Sequence, residues 1–278
     1  MRNKKLKKGK SSHIPEIILI FFVILTIAPI YIMIVTSLKD QNEIVTNFWG
    51  FASTPHWENF SKAWSVISKY VVNSFIITPA ICIGVIAVSV FAGYAFAKLE
   101  LPAKEVLFTV VMMFQMIPIG LLLIPMYLNV LSMHLNDTYW GVILPGISAG
   151  SIVATVVSRS FFEGIPDSIF EAARIDGANE IRIVMRMVLP ISLPIVGTIF
   201  LQTFFSKFNE FMWPFIVLSS DKMRTIPVGF NQLAGQYGLD YGLQMAAYCS
   251  DCMHNENIHR RSNHGCGKRI NNIIKRRI

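Results

Sequence analysis

Charge is scarce in this chain. Asp, Glu, Lys and Arg make up 15% of its 278 residues, while 53% are hydrophobic. An average soluble domain carries about a quarter charged residues, so an ordinary soluble domain is excluded and a membrane protein is indicated. Cysteine is also scarce in the body. Of four cysteines, Cys82 sits in an apolar run and the other three follow residue 248, so no disulfide framework holds the body together. There is no Gly-x-x-x-x-Gly-Lys-Ser/Thr loop, and the chain is therefore not expected to bind ATP itself. Outside the last thirty residues the histidines are His13, His56 and His134, far apart in sequence. No metal site or cofactor is expected from them.

The net charge of +8 is concentrated at the two ends. Arg2, Lys4, Lys5, Lys7, Lys8 and Lys10 crowd the first ten residues, and residues 248–278 hold seven Lys/Arg against two acids, which leaves the middle net negative. A nucleic-acid partner requires a basic face on a folded domain, and none is visible. The basic N-terminus reads as a cytoplasmic anchor. The apolar run from Ile14 to Leu38 exceeds a signal-peptide core of about 7–15 residues and is followed by a poor cleavage site, so it reads as a retained first span.

About 20 apolar residues cross the hydrocarbon layer as a helix. Five segments qualify: 14–38, 71–97, 106–131, 138–162 and 191–218. Positive residues on the inner side put the tail 1–13 in the cytoplasm, the loop 39–70 outside, and the loop 163–190, with Arg174, Arg182 and Arg186, back in the cytoplasm. Trp49, Trp57 and Trp64 in the outer loop suit an interface. The expected fold class is an all-α integral membrane protein, multi-pass, with lipid around it.

The loop 163–190 carries the most specific pattern. It reads Pro166-Asp167-Ser168-Ile169-Phe170-Glu171-Ala172-Ala173-Arg174-Ile175-Asp176-Gly177-Ala178, continuing to Leu189-Pro190. Asp167 or Ser168 is expected to cap a short helix, with Glu171 in its first turn and Gly177 at its C-terminus. Ala172 and Ala173 offer a small surface that another protein can approach closely. A second short helix is expected over roughly 179–188. An ordinary cytoplasmic helical connector shares some of these features. The combination of Glu-Ala-Ala, Asp-Gly-Ala and Leu-Pro at fixed spacing between two spans is more specific.

That combination resembles the EAA loop of binding-protein-dependent ABC importer permeases. The surrounding motifs are similar to the carbohydrate group that includes the second maltose permease subunit. These are Asn73-Ser74, Gly93-Tyr94-Ala95-Phe96-Ala97-Lys98, Asn209-Glu210-Phe211-Met212-Trp213-Pro214, Gly235-Gln236-Tyr237-Gly238 with Tyr241, and Met245-Ala246-Ala247. The resemblance covers residues 14–247. It implies a type I ABC importer permease bundle, a second permease subunit, two ATPase subunits that hydrolyse the ATP, and an extracellular or periplasmic solute-binding protein. It implies that the loop docks in a groove of the ATPase and follows it when two ATPases close on ATP. On that basis Glu171, Ala172, Ala173, Asp176, Gly177, Leu189 and Pro190 are expected to be contact and shape residues, not catalysts. The solute is expected to be a sugar.

Lys207 and Glu210 lie three apart in the fifth segment and share a helix face. With Asn209 they are pathway candidates, and a plain structural ion pair is an equal alternative. A self-sufficient secondary transporter or channel remains open as a reading of the whole, although no internal repeat is visible. An integral membrane enzyme would need a His or acidic cluster that the body lacks.

After Ala247 the character changes, and Cys249, Cys252, His254, His259, His264 and Cys266 invite a zinc reading. The resemblance, however, stops where a sixth span should begin. Codons for Tyr248-Cys249-Ser250-Asp251-Cys252 read one base later permit an apolar run. Residues 248–278 are therefore expected to be out-of-frame translation replacing span six, leaving five evident spans and impaired transport. Sequencing the coding DNA checks this: an alternative frame after Ala247 should encode about 20 apolar residues, and the absence of one defeats the idea.

Overall fold

Open backbone groups find no partner in hydrocarbon, so a spanning chain must close its own hydrogen bonds. Among the described residues this one forms helices and no strand. The computed structural model describes residues 14–236, 242 and 245–249. The tail expected at 1–13, Tyr237, Gly238, Tyr241 and the segment 250–278, with Cys252 and the histidines beyond it, lie outside the described residues. Residues 245–249 are helical, with Ala246, Ala247 and Cys249 buried. The chain divides into two compact units, 1–66 with 233–278, and 67–232.

In the first unit, α1 (Ile14–Ser37) exposes apolar side chains at every position from Ile17 to Leu25. Exposure of such groups on all sides suits a helix whose solvent is lipid. Beyond it, α2 (Gln41–Thr46) sits in a folded loop. Lys39 is 1% exposed, and its ammonium donates to the carbonyls of Asn47 and Phe48. The Asn59 amide donates to the carbonyls of Ser37 and Lys39 at 3.1 and 3.3 Å. These bonds satisfy a cation that could not otherwise be buried, while Trp49, Phe51 and Trp57 stay exposed.

Helix α3 (Glu58–Lys98) begins 13 residues before the expected start of the second span. Ala63, Ile67, Tyr70 and Val71 are buried along it. Their spacing marks one face of a helix, whereas mean hydropathy over the same stretch is diluted by Lys62, Ser65, Ser68 and Lys69.

The second unit continues from α3 through α4 (Lys104–Phe114), α5 (Ile119–Ser132), α6 (Tyr139–Glu163), α7 (Asp167–Ile175) and α8 (Glu180–Ile183). A π-helical turn (Val184–Val188) leads into α9 (Leu189–Ile191), α10 (Leu193–Phe208), α11 (Met212–Val217) and α12 (Ile226–Gln236). Among the described residues three helices are long and apolar enough to cross a membrane, or up to five if each bent pair is one span. The bends are where the structure departs from the straight segments expected. The segment 106–131 is two helices, α4 and α5, bent by 97°. Pro118 has no amide hydrogen to continue α4 and pushes Ile117 away from helical geometry. The segment 191–218 starts at a 79° bend around Ser192, and its helix α10 ends at Phe208, before α11. Pro194 interrupts the bonding just after that bend.

Among the described residues, α3 contributes to two buried clusters of this unit. Ile77, Ile81 and Val85 of α3 pack with Val142 and Ile143 of α6, Ile199 of α10, and Trp213 and Val217 of α11. Val90 and Tyr94 of α3 pack with Phe162, Phe170, Ala173, Ile183, Val184 and Val188.

At the other end of the unit, polar bonds pin the segment 219–226. Asn73 donates to the carbonyls of Lys222 and Arg224, both at 2.8 Å, and accepts from the Tyr139 hydroxyl at 2.8 Å. The Ser74 hydroxyl accepts from the Ile226 amide at 2.9 Å, and Tyr70 donates to Asp221 at 2.6 Å beside a Lys69–Asp221 ion pair. Asp137 accepts from the amides of Ser219 and Ser220 and from the Ser220 hydroxyl. The Ser220 amide above all, helped by the Ser220 hydroxyl, the Ser219 amide and Arg224, holds the Asp137 carboxyl below the usual carboxylate range against a smaller opposing cost of burial. A lowered native value stabilises the fold above the unfolded pKa of about 3.9 and stops doing so as pH falls through the native value. The parent chain should therefore exceed Asp137→Asn in stability by the order of 1 kcal/mol near neutral pH. That margin should vanish in the acid range below pH 4; melting curves in detergent across pH check it, and a margin unchanged at low pH refutes it.

Candidate functional site

The loop between α6 and α10 folds as a helical hairpin, α7 followed by α8 to α9. Pro166, not Asp167 or Ser168, occupies the capping position of α7, and no side chain caps the helix. Asp167 is instead the first helical residue, and its carboxylate accepts from the Lys98 ammonium at 2.7 Å. That hydrogen bond and charge draw the Asp167 carboxyl below its ordinary range. An acid at this position also faces the positive end of the helix dipole.

The far end of α7 closes as the glycine predicts. Gly177 has φ of +78°, its amide donates to the Arg174 carbonyl at 3.0 Å, and the Ala178 amide donates to the Ala173 carbonyl at 3.0 Å. This pair of bonds is a Schellman motif, which requires a left-handed residue at that point. No side chain or backbone atom lies within 4 Å of a Cβ placed on Gly177, so the demand is conformational and not steric. Asn179 then caps the next helical stretch by accepting from the Arg182 amide at 2.9 Å. The expected second helix is present, and it runs on through a π-helical turn to Ile191. Arg174 and Glu180 bridge the two arms at 2.9 Å, and the Glu180 carboxylate keeps the Arg174 guanidinium more firmly protonated.

The hairpin separates the expected contact residues into two sets. Glu171, Ala172, Asp176, Gly177 and Pro190 are exposed. Ala173 is buried with Tyr94, Phe162 and Phe170, and Leu189 is half-buried against the same cluster. Ala173 is therefore not part of the approachable surface; it is small because α7 packs closely on its own core. The sequence reading missed three large apolar residues on the exposed side. Ile175 is 85% exposed, Ile181 66% and Met185 51%. Ile175 was legible: it lies five residues from the buried Phe170, about 140° around the helix at 100° per residue. Lys98, which read as a mere flank of a turn, has a side chain only 5% exposed.

A second polar feature lies on α10. Lys207 and Glu210 pair at 3.0 Å where the helix ends, and the Asn209 side chain folds back on the Phe205 carbonyl at 2.8 Å. Thr198, Gln202, Ser206 and Asn209 are all exposed and fall on one face at helical spacing. Between that face and α6 is a cavity of about 230 Å³, lined by Gly150, Val153, Gln202, Ser206 and Lys207 among others.

Comparison with known proteins agrees with this architecture. Residues 85–249 match the family described as binding-protein-dependent transport system inner membrane component. The chain is 31% identical to "Probable ABC transporter permease protein YurM" of Bacillus subtilis (strain 168), over 88% of this chain and 83% of that one. It is 30% identical to the sn-glycerol-3-phosphate transport system permease protein UgpE of Yersinia pestis bv. Antiqua (strain Antiqua), over 80% and 82%. It is 28% identical to the arabinooligosaccharides transport system permease protein AraQ of Bacillus subtilis (strain 168), over 81% and 82%. In fold it is similar to a chain in the crystal structure of a bacterial ABC transporter involved in the import of the acidic polysaccharide alginate. The TM-score is 0.76 at 18% identity, covering 92% of this chain and all of that one. A family match over more than half the chain, on an all-helical body with helices fit to cross a membrane, makes this chain a membrane-integral ABC transporter permease of the binding-protein-dependent transport system inner membrane component family.

Proposed function

We propose that this chain is the permease subunit of an ATP-driven importer and that its α7–α9 hairpin is the docking site for a separate ATPase subunit on the cytoplasmic side. The observation that carries this reading is the exposed apolar group Ile175, Ile181 and Met185 on a hairpin fixed by its own backbone bonds. Several large apolar side chains exposed on one short structured element outside the lipid are a mark of protein contact. Glu171, Ala172, Asp176, Gly177 and Pro190 frame that surface, and Ala173 and Leu189 hold it from within. Two such ATPases would hydrolyse the ATP, with a second permease subunit and an external solute-binding protein completing the assembly. The basic N-terminus places the first residues in the cytoplasm.

The transported solute is a sugar or a sugar derivative. Support comes from relatives named for sn-glycerol-3-phosphate and arabinooligosaccharides and from a fold neighbour that takes part in alginate import. The exposed polar stripe of α10, ending at Lys207, Asn209 and Glu210, lines the path. Polar and charged groups are costly in hydrocarbon even when paired, so the stripe faces water or the second permease. The apolar surface of α1 faces lipid. The body 14–247 is one transmembrane domain, and residues 248–278 replace its sixth span; the family match, which ends at residue 249, supports this.

Co-purification with the ATPase tests the docking reading. Ile175→Asp should weaken capture of the ATPase at least tenfold, about 1.4 kcal/mol, and Ile181→Asp should add to it. Melting of the isolated variants should stay at the parental temperature. Undiminished capture by the Ile175→Asp, Ile181→Asp double variant would mean that the docking surface is elsewhere.

A further inference from the structure

The family reading leaves the stretch Gly93-Tyr94-Ala95-Phe96-Ala97-Lys98 without a role, yet the end of α3 is where the docking hairpin is fastened. Lys98 donates to the Ile165 carbonyl at 2.6 Å and to Asp167 at 2.7 Å, on either side of Pro166, and its ammonium lies 5.2 Å from the centre of the Phe170 ring. Tyr94 is 2% exposed and donates to Glu180 at 2.5 Å, the same carboxylate that Arg174 grips. Its ring lies 5.8 Å from that of Phe170. One helix end thus holds the start of α7, its buried face and the start of α8. One turn back, a Cβ on Gly93 would come within 2.5 Å of the Ser158 Cβ and 3.0 Å of the Arg159 amide. The α3 and α6 backbones are therefore in close contact at this level.

The same helix runs uninterrupted through Pro79 to the pinned segment 219–226. Asn73, 4% exposed, and Ser74, 1% exposed, bond that segment's backbone. From Asn73 to Tyr94 is 21 residues, about 32 Å of helix. Pro79 lacks an amide hydrogen and drops one backbone bond, yet the helix continues across it, and the stretch is tied near Asn73 and near Lys98 by buried polar groups that are costly to release.

We infer that α3 is the strut of the permease: Tyr94 and Lys98 are positioning residues that pass displacement of the docking hairpin into the bundle, and Asn73 passes it to the segment 219–226. This rests on the docking reading above. The hairpin is attached to the bundle covalently through α6 and α10, so chain connectivity alone offers another route, and the experiment must separate the two. Coupling along one rigid element predicts that defects at its two ends act in series.

The test uses the full complex, this chain with its second permease, ATPases and binding protein, reconstituted in lipid vesicles. Uptake and binding-protein-stimulated ATP hydrolysis are measured on the same vesicles, and each variant's ratio of the two is taken against that of this chain, so that the lower absolute uptake expected from the replaced sixth span drops out. Lys98→Met should lower solute imported per ATP at least fivefold while ATPase capture and hydrolysis persist, and Lys98→Arg should restore most of it. Tyr94→Phe, which keeps the ring and removes only the hydroxyl, should fall in the same direction and serves if Lys98→Met does not assemble. Asn73→Ala should show the same uncoupling, and the Asn73→Ala, Lys98→Met double variant should be no worse than the worse single. An unchanged ratio of uptake to hydrolysis in Lys98→Met and Tyr94→Phe overturns the inference, as do multiplicative defects in the double variant. Parent complexes that capture no ATPase overturn the docking reading itself, and the strut with it.

Discussion

Hydrocarbon offers nothing to an open backbone amide or carbonyl, and the architecture of this chain follows from that constraint. Helix is the form the spanning segments take, and a break is permitted only where protein or water covers the freed groups. Among the described residues, two sharp bends lie at prolines, Pro118 between α4 and α5 and Pro194 just after Ser192. Ser192 is fully buried and donates to the Leu189 carbonyl, which covers one of the groups that the second break exposes. The polar segment 219–226 is not helical at its start and is accordingly tied down at its backbone by Asn73, Ser74 and Asp137.

The same constraint sorts the surfaces. α1 presents only apolar groups from Ile17 to Leu25, and α10 presents a polar stripe from Thr198 to Asn209. The two helices therefore present different surfaces, which accords with the lipid-facing and path-lining roles proposed for them above.

Much of this was legible in the sequence, for identifiable reasons. The apolar runs marked where the membrane segments lie, and Gly177 marked the left-handed turn that ends α7, because few other residues tolerate that geometry. The early start of α3 was hidden, since a hydropathy window averages over Lys62 and Lys69 and loses the buried face formed by Ala63, Ile67 and Tyr70. The bends were hidden because proline in a membrane helix permits a kink without fixing its angle. In the hairpin, the motif Glu-Ala-Ala read as one surface, yet successive residues of a helix point 100° apart, so Ala172 and Ala173 face opposite environments. Lys98 was unreadable from sequence, because burial of an ammonium depends on the Ile165 carbonyl and Asp167, contacts that only the folded chain supplies.

The turn at Gly177 also separates shape from identity. The hairpin is held by main-chain bonds between Arg174 and Gly177 and between Ala173 and Ala178, and by residues that point inward, such as Phe170 and Ile183. None of the side chains on its outer face, Glu171, Ala172, Ile175 or Asp176, makes the turn. Those positions are open to exchange while the hairpin keeps its form, so, under the docking proposed above, a permease of this kind could change its choice of motor without redesigning the joint that receives it.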